Sequence, residues 1–90
     1  MKHYVYLIIN QGKKKLTTYV GYTNNIQKRL KLHNTSKGAK FTKGRYWEIV
    51  YKKEYNTKKE AMINEYKLKK NKIKRNVLKN IYKLKNNIKL

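Results

Sequence analysis

Two short segments near the start of the chain are rich in aromatic and β-branched residues, which favour β-strands. They span residues 3–9 (HYVYLII) and 16–21 (LTTYVG), and the polar residues 10–15 lie between them. Because two strand-like segments separated by a short polar stretch tend to pair, this pattern predicts a β-hairpin with a six-residue loop.

The register of the hairpin decides which side chains face each other. If Ile9 pairs with Leu16, Tyr6 lies directly opposite Tyr19, because facing residues in an antiparallel pair have residue numbers of constant sum. A loop of this length also permits other registers. We expect the two tyrosines to share one face of the sheet.

Helical spacing begins after the hairpin. Residues 23–25 (TNN) supply N-cap side chains, and Ile26, Leu30 and His33 follow at i, i+4 and i+7. This spacing predicts a short helix that ends at about His33. Residues 34–44 contain glycines, lysines and one aromatic residue, and they predict a loop.

The second half of the chain predicts one more strand and two helices. Residues 47–55 (WEIVYKKEY) are typical of a strand, and Thr57 and Glu60 form a capping box that opens a helix through about Lys70. Asn71 interrupts the helical pattern, and a third, amphipathic helix follows it. We expect the aliphatic residues of that helix to close the core: Ile73, Val77, Ile81, Leu84 and Ile88. The element order is ββαβαα, an α/β chain of the α+β kind.

Composition adds a strong charge imbalance to this picture. The chain has 90 residues, and we expect one domain over residues 1–90 with its core at about 3–85. Its 25 basic residues outnumber its 4 acids, which gives a net charge of +21. Nucleic acid is the expected partner, because a polyanion would relieve the self-repulsion. Codon composition offers a second explanation for part of the lysine excess, since Lys, Asn, Ile and Tyr all have A/T-rich codons.

Several classes of protein are excluded by what the chain lacks. It has no Cys, so disulfides, thiolate metal sites and cysteine nucleophiles are ruled out. It also has no Asp, which disfavours carboxylate-rich two-metal sites. The longest apolar run, residues 4–9, is too short to span a membrane, and no signal-peptide cleavage site follows it. We expect a cytoplasmic protein with no membrane partner.

Three polar residues stand out against the helical pattern. Glu65 lies between Ala61 and Leu68 on the stripe of the second helix that faces the core, where an unpaired carboxylate is unfavourable. A salt bridge to Lys69 at i+4 is one explanation, and a functional carboxylate is the other. In the first helix Arg29 and His33 also lie four residues apart, on one edge.

A set of motifs in this order resembles the GIY-YIG endonuclease domain, most closely the small stand-alone bacterial members related to the UvrC nuclease domain. The resemblance covers the chain from residue 4 to about 84. It rests on Tyr4-Val5-Tyr6, Tyr19-Val20-Gly21, Arg29, His33, the loop 37–45 (KGAKFTKGR) and Glu65. The chain departs from the family pattern at Tyr4, where the family has glycine, and at Tyr22, where UvrC-like members have lysine.

The resemblance implies a three-stranded antiparallel sheet flanked by about three helices, and hydrolysis of a DNA phosphodiester with one divalent metal, Mg²⁺ or Mn²⁺. By position, Tyr6 and Tyr19 are the motif tyrosines, Arg29 is the helix arginine, His33 is the histidine of many members, and Glu65 is the metal-binding glutamate. As a hypothesis, the paired donors of Arg29 hold the scissile phosphate. As a hypothesis, Tyr6 acts as the base towards water and passes its own proton towards His33.

The basic loop has a composition suited to contacting phosphates. Its glycine spacing does not match a Walker loop, so we expect no nucleotide cofactor. Phe41 is a candidate for stacking on a base, although packing within the protein explains it equally well. The expected nucleic-acid-binding residues are Lys37, Lys40, Phe41, Lys43, Arg45 and Lys69.

Two functions from different classes remain. The first is a metal-dependent endonuclease of low intrinsic sequence specificity, in a process such as DNA repair, recombination or processing. The second is a basic nucleic-acid-binding module that cleaves nothing. The carboxylate and arginine at motif positions favour the enzyme, because binding alone would not require Glu65 in so basic a chain. The lysine-rich residues 66–90 fit either function as a solvated helix face, and membrane binding is a remote third.

Overall fold

The structure, a computed structural model, describes residues 2–88 and confirms the order ββαβαα. The strands are β1 (His3–Gln11), β2 (Leu16–Thr23) and β3 (Glu48–Tyr55), and they form one antiparallel sheet in the order β2-β1-β3. The helices are α1 (Ile26–Asn34), α2 (Lys58–Lys70) and α3 (Lys72–Lys85), with a short 3₁₀ turn at Lys40–Thr42. Within residues 2–88 no helix is long and apolar enough to cross a bilayer.

The hairpin register differs from the prediction by two residues. Leu16 pairs with Gln11 rather than Ile9, and Tyr6 pairs with Gly21 while Tyr19 pairs with Ile8. The predicted pairing of the two tyrosines is therefore wrong, because β1 continues beyond Ile9 and shortens the loop. A shift of two residues keeps every side chain on its face, so both tyrosines still lie on the same side of the sheet.

The two faces of the sheet pack against different helices. Side chains at odd positions of β1, such as Val5 and Leu7, meet α2 and α3. Side chains at even positions, Tyr6 and Ile8, pack with Trp47 and with α1. Because β1 is the central strand and is buried on both faces, it is apolar at nearly every position.

Side-chain caps set the ends of the helices, as the sequence predicts. Asn25 Oδ1 accepts from the backbone N–H of Lys28 at 3.1 Å and starts α1. Thr57 Oγ1 accepts from the N–H of Glu60 at 3.1 Å and starts α2. Asn71 ends α2 and starts α3, as its Oδ1 accepts from the N–H of Lys74 at 3.0 Å.

The apolar stripe predicted to close the core is the clearest error. Four of its five members are exposed, and two of them, Ile73 and Leu84, are 79% and 84% exposed. The helix instead turns Leu78 and Tyr82 inward, where Tyr82 packs with Ile9 and Leu16. The exposed members of the stripe are Ile73, Val77, Ile81 and Leu84.

Candidate active site

The side chain of Tyr6 on β1 crosses the neighbouring strand β2 at Gly21. A Cβ atom added to Gly21, the last residue of the YVG motif, would collide with the hydroxyl end of the Tyr6 ring. Any side chain at position 21 would therefore displace Tyr6. The glycine lets the phenol lie flat over β2 and reach towards α1.

The Tyr6 hydroxyl forms a hydrogen bond with the imidazole of His33. Tyr6 Oη lies 2.8 Å from His33 Nε2, and His33 Nδ1 lies 2.9 Å from Thr42 Oγ1. The Thr42 hydroxyl donates its own proton to the Ala39 carbonyl at 2.8 Å, so it accepts from His33. Neutral His33 therefore carries its proton on Nδ1, and Nε2 accepts a hydrogen bond from Tyr6.

Burial and one cation set the protonation of this pair. Burial raises the pKa of Tyr6 above its ordinary value of 10.0, while the Arg29 guanidinium beside its hydroxyl opposes that shift. Burial also lowers the pKa of His33 below 6.5, and the charge of Arg29 adds to the effect. At neutral pH the resting pair is a protonated phenol and a neutral imidazole, and His33 can accept a proton.

The basic loop folds over His33 instead of standing free. A Cβ on Gly38 would come within 2.6 Å of His33 Nδ1, so only glycine lets the loop pass this close to the ring. Thr42 is fully buried, and its carbonyl accepts from Trp47 Nε1 at 3.0 Å. The sequence analysis missed Thr42, because one threonine among lysines in a loop has no periodic pattern to mark it.

Aromatic rings continue the site towards solvent. The Tyr19 ring meets the edge of His33 at 5.3 Å between centroids and stacks on Phe41 at 6.1 Å. The Arg45 guanidinium lies 5.0 Å from the centroid of the Phe41 ring. Phe41 is half exposed, so it has both the protein contacts and the accessible surface that its two predicted roles require.

Glu65 approaches the site from α2, on the other side of the sheet from α1. Its side chain is 14% exposed and lies 3.3 Å from Lys69 Nζ, so the predicted salt bridge is present. Its charge nevertheless reaches Tyr6, where it acts to raise the pKa of the phenol. Among residues 2–88 no cluster of three or more potential metal ligands occurs, and Glu65 is the single carboxylate that acts on Tyr6.

The structure thus brings together some predicted site residues and leaves others apart. Tyr6, Tyr19, Arg29 and His33 form one cluster, with Glu65 coupled to it through its charge. Phe41 and Arg45 lie beside Tyr19. Three lysines of the loop are exposed and stand outside the cluster: Lys37, Lys40 and Lys43.

Comparison with known proteins identifies the family of the chain. The family model described as the GIY-YIG catalytic domain matches residues 2–80. The chain therefore belongs to the GIY-YIG family, a family of nucleases that act on nucleic acid and generally use divalent metals. The predicted resemblance and the predicted fold are confirmed.

Individual relatives come from several bacteria. UPF0213 protein OB0043 of Oceanobacillus iheyensis is 45% identical over 69 residues, 76% of this chain and 77% of that protein. UPF0213 protein YazA of Bacillus subtilis is 44% identical over 69 residues, 76% of this chain and 67% of its own. The solution structure of UPF0213 protein BH0048 from Bacillus halodurans is 36% identical, covers 90% of this chain and 85% of its own, and has a TM-score of 0.49.

Proposed function

We propose that this protein is a divalent-metal-dependent endonuclease that hydrolyses DNA phosphodiester bonds with low intrinsic sequence specificity. The observation that carries the proposal is the oriented hydrogen bond from Tyr6 to a neutral, buried His33, beside Arg29. A module that only binds nucleic acid has no use for a buried proton relay, and leaving such polar groups in a core is unfavourable unless each is paired.

The proton path follows from the tautomer of His33. Tyr6 passes its hydroxyl proton to Nε2 as it takes a proton from the attacking water. The water oxygen bonds to phosphorus, the bond from phosphorus to the leaving oxygen breaks, and the leaving alkoxide takes a proton from solvent. The pair resets when the proton that Tyr6 took from water passes to solvent and His33 returns its own proton to Tyr6, because burial and the Arg29 charge both disfavour the imidazolium. Tyr6 is only 2% exposed, so bulk water has little access to this side chain in the resting protein.

Arg29 and Tyr19 hold the substrate in this proposal. A guanidinium presents paired donors that match two phosphate oxygens, which a lysine cannot do. The Nε of Arg29 is buried with no hydrogen-bond partner among the residues that the structure describes, so the guanidinium keeps an unsatisfied donor in the resting protein. Tyr19, half-buried between His33 and Phe41, positions the phosphate or the water through its hydroxyl.

Glu65 fits the role of a metal ligand. Mg²⁺ commonly binds through one or two carboxylates and fills its other positions with water and substrate phosphate, so one glutamate is enough. Mg²⁺ or Mn²⁺ would supply Lewis-acid stabilisation of the developing charge on the phosphate. Glu65 would hold the metal, and Lys69, its present ion-pair partner at 3.3 Å, would then be free to contact the nucleic acid.

Low specificity follows from the kind of cations around the site. Lysines reach phosphates, which position a protein on DNA but carry no base sequence. The exposed loop cations supply such contacts: Lys37, Lys40, Lys43 and Arg45.

A cleavage assay tests the proposal. Single-stranded, duplex and branched DNA are incubated with the protein in Mg²⁺, in Mn²⁺ and in EDTA, and products are expected only with metal. Glu65→Gln should lower cleavage by about 10³-fold or more, since the metal contributes several kcal/mol to transition-state stabilisation. Glu54→Gln is the matched control. Glu54 is an exposed carboxylate on β3 that pairs with Lys2.

Both variants should bind DNA and unfold at the temperature of the wild type. Absence of metal-dependent products on every substrate would favour the binding module. Cleavage retained by Glu65→Gln would remove Glu65 from the metal site.

A further inference from the structure

A cleft of about 310 Å³ opens beside the catalytic cluster and has no assigned role. It lies between the outer strand β2, the basic loop and the junction of α2 with α3. Its lining residues are Thr18, Tyr19, Val20, Phe41, Lys69 and Arg75. Because Tyr19 lines this cleft and its ring also meets that of His33, the cleft borders the proposed active site.

Arg75 is the unusual member of this lining. Its Nε is buried and has no hydrogen-bond partner within residues 2–88, in a chain where most buried polar groups are paired. Arg75 also lies in the first turn of α3, which contains no acid that would offset its charge against the helix dipole. No residue from 66 to 90 is acidic, so its own helix offers no carboxylate. The guanidinium is thus buried in part and forms no ion pair with any carboxylate of residues 2–88.

Lys69 extends the same positive surface. It lines the cleft and lies 3.3 Å from Glu65, the proposed metal ligand. The lining of the cleft therefore combines two cations, Lys69 and Arg75, with a stacked aromatic pair, Tyr19 and Phe41. Cations beside aromatic rings suit a nucleotide unit, whose phosphate and base need these two kinds of contact.

We propose that this cleft binds a second phosphodiester of the nucleic-acid strand, adjacent to the one held at Arg29, and that Arg75 is its main ligand. The identity of the strand rests on the proposed function. In this arrangement Arg29 holds the phosphate that reacts, whereas Arg75 holds a neighbour that does not react and fixes the register of the strand. A guanidinium suits this role, because its fork matches two phosphate oxygens.

Binding measurements in EDTA test the proposal without any cleavage. The affinity of the protein for a short DNA duplex is measured between 50 and 200 mM salt, for wild type, Arg75→Gln and Lys59→Gln. Lys59 is an exposed lysine in the first turn of α2, away from the cleft. Arg75→Gln should weaken binding by about tenfold and reduce the slope of log affinity against log salt by about 0.9, the loss of one phosphate contact.

Lys59→Gln should change affinity by less than about twofold, since an exposed charge outside the contact is screened. Equal effects of the two variants would overturn the proposal, because Arg75 would then act only through net charge. Unchanged thermal unfolding of Arg75→Gln shows that the loss is not a folding defect. Arg75→Lys keeps the charge and should recover the salt slope but only part of the affinity.

Kinetics give a second, independent readout. If Arg75 binds a phosphate that does not react, Arg75→Gln raises KM and leaves kcat unchanged. A fall in kcat at unchanged KM would overturn the proposal by placing Arg75 at the reacting phosphate. If the wild type binds DNA but cleaves none, the proposed function fails and the Arg75 contact is judged from the salt slope alone. Saturation of the cleft by inorganic phosphate below millimolar concentration would instead assign it to a free anion.

Discussion

The two faces of the sheet bury different chemistry. The face that meets α2 and α3 buries mainly aliphatic residues, among them Val5, Leu7, Val20, Ala61 and Leu68, together with one tyrosine, Tyr82. The face that meets α1 buries Tyr6 and Trp47, and with them His33 and Thr42. One strand, β1, supplies both faces, since successive side chains point to opposite sides.

The two faces of β1 therefore differ in role: one contributes mainly to stability, and the other carries the polar side chains of the candidate site. Aliphatic packing is non-directional and tolerates exchange of shape, whereas a buried phenol and imidazole need partners at defined angles. On the α1 face each ring hydrogen bond has its partner: Tyr6 with His33, His33 with Thr42, and Trp47 with the Thr42 carbonyl. Adjacent residues Tyr6 and Leu7 therefore allow the two faces to be tested independently.

Removing the Tyr6 hydroxyl should have the largest effect. Tyr6→Phe takes away the proposed base, and general acid–base catalysis contributes about 10²–10⁴-fold, so we expect single-turnover cleavage to fall by about 10³-fold. The free energy of unfolding should fall by only about 1–3 kcal/mol, because His33 Nε2 is left buried without a donor. Urea unfolding measures the second quantity. Cleavage within a factor of ten of wild type would exclude Tyr6 as the base.

Thr42→Val probes the same relay one residue further along. Valine has a similar shape but cannot accept from His33 Nδ1–H, so the imidazole loses the tautomer that accepts from Tyr6. We expect cleavage to fall by about tenfold to a hundredfold, with DNA affinity unchanged. A Thr17→Val variant, with the same substitution at a half-buried residue of β2 outside the cleft, serves as the control for general effects on packing.

Leu7→Ala, at the residue next to Tyr6, should have the opposite effect: a large loss of stability and little change in cleavage per folded molecule. Leu7 is fully buried on the aliphatic face, and a buried Leu→Ala change costs about 2–5 kcal/mol of unfolding free energy. Cleavage per folded molecule should remain within about twofold of wild type, because no group of the relay contacts this side chain. The comparison of the two faces is wrong if Leu7→Ala lowers the turnover of folded protein as strongly as Tyr6→Phe does.

The pH dependence of stability should be the smallest effect. Burial holds the pKa of His33 below 6.5, so below about pH 6.5 the unfolded state binds more protons than the folded state. The contribution of His33 is fully present above pH 6.5 and is lost as the pH falls through the folded pKa, at no more than about 1.4 kcal/mol per pH unit. Urea midpoints from pH 7.5 to 5 measure this slope.

The other histidine, His3, serves as a control that assigns the slope of stability against pH to one residue. His3→Gln should keep the dependence on pH, and His33→Gln should abolish it. A slope that disappears in His3→Gln would place the titrating group on β1 instead of α1.

Much of the fold was predictable because its signals are local. Each helix starts at a side chain that caps an N–H three residues later, so Asn25, Thr57 and Asn71 could be identified from the chain alone. The two motif tyrosines and Arg29 were predictable for a different reason, the order of the family motifs. Their roles in catalysis stay predictions.

The two wrong predictions, the hairpin register and the buried stripe of α3, have a common cause: both depend on contacts between residues far apart in the chain. The hairpin register depends on how far β1 and β2 continue to pair, and the composition of the loop does not determine that. In α3 two apolar rows compete for the core, and the row with more aliphatic members is the exposed one. Tyr82 takes the inner position, where its hydroxyl also donates to Glu48 at 3.1 Å. Periodicity marks both rows and cannot rank them, because burial depends on the shape of the neighbouring strands.

By itself the sequence determined the elements, their order, the excess of positive charge and the residue types available for chemistry, because these depend on neighbours within a few positions. Only the tertiary structure decided that Tyr6, His33 and Thr42 form one hydrogen-bonded chain, and that the Nε of Arg75 is buried without a hydrogen-bond partner among residues 2–88. Tyr6 and His33 are 27 positions apart in the chain, and their 2.8 Å hydrogen bond exists because Gly21 leaves room for the phenol to cross β2. A hydrogen bond needs an exact distance and direction between two atoms, and the packing of whole elements supplies both.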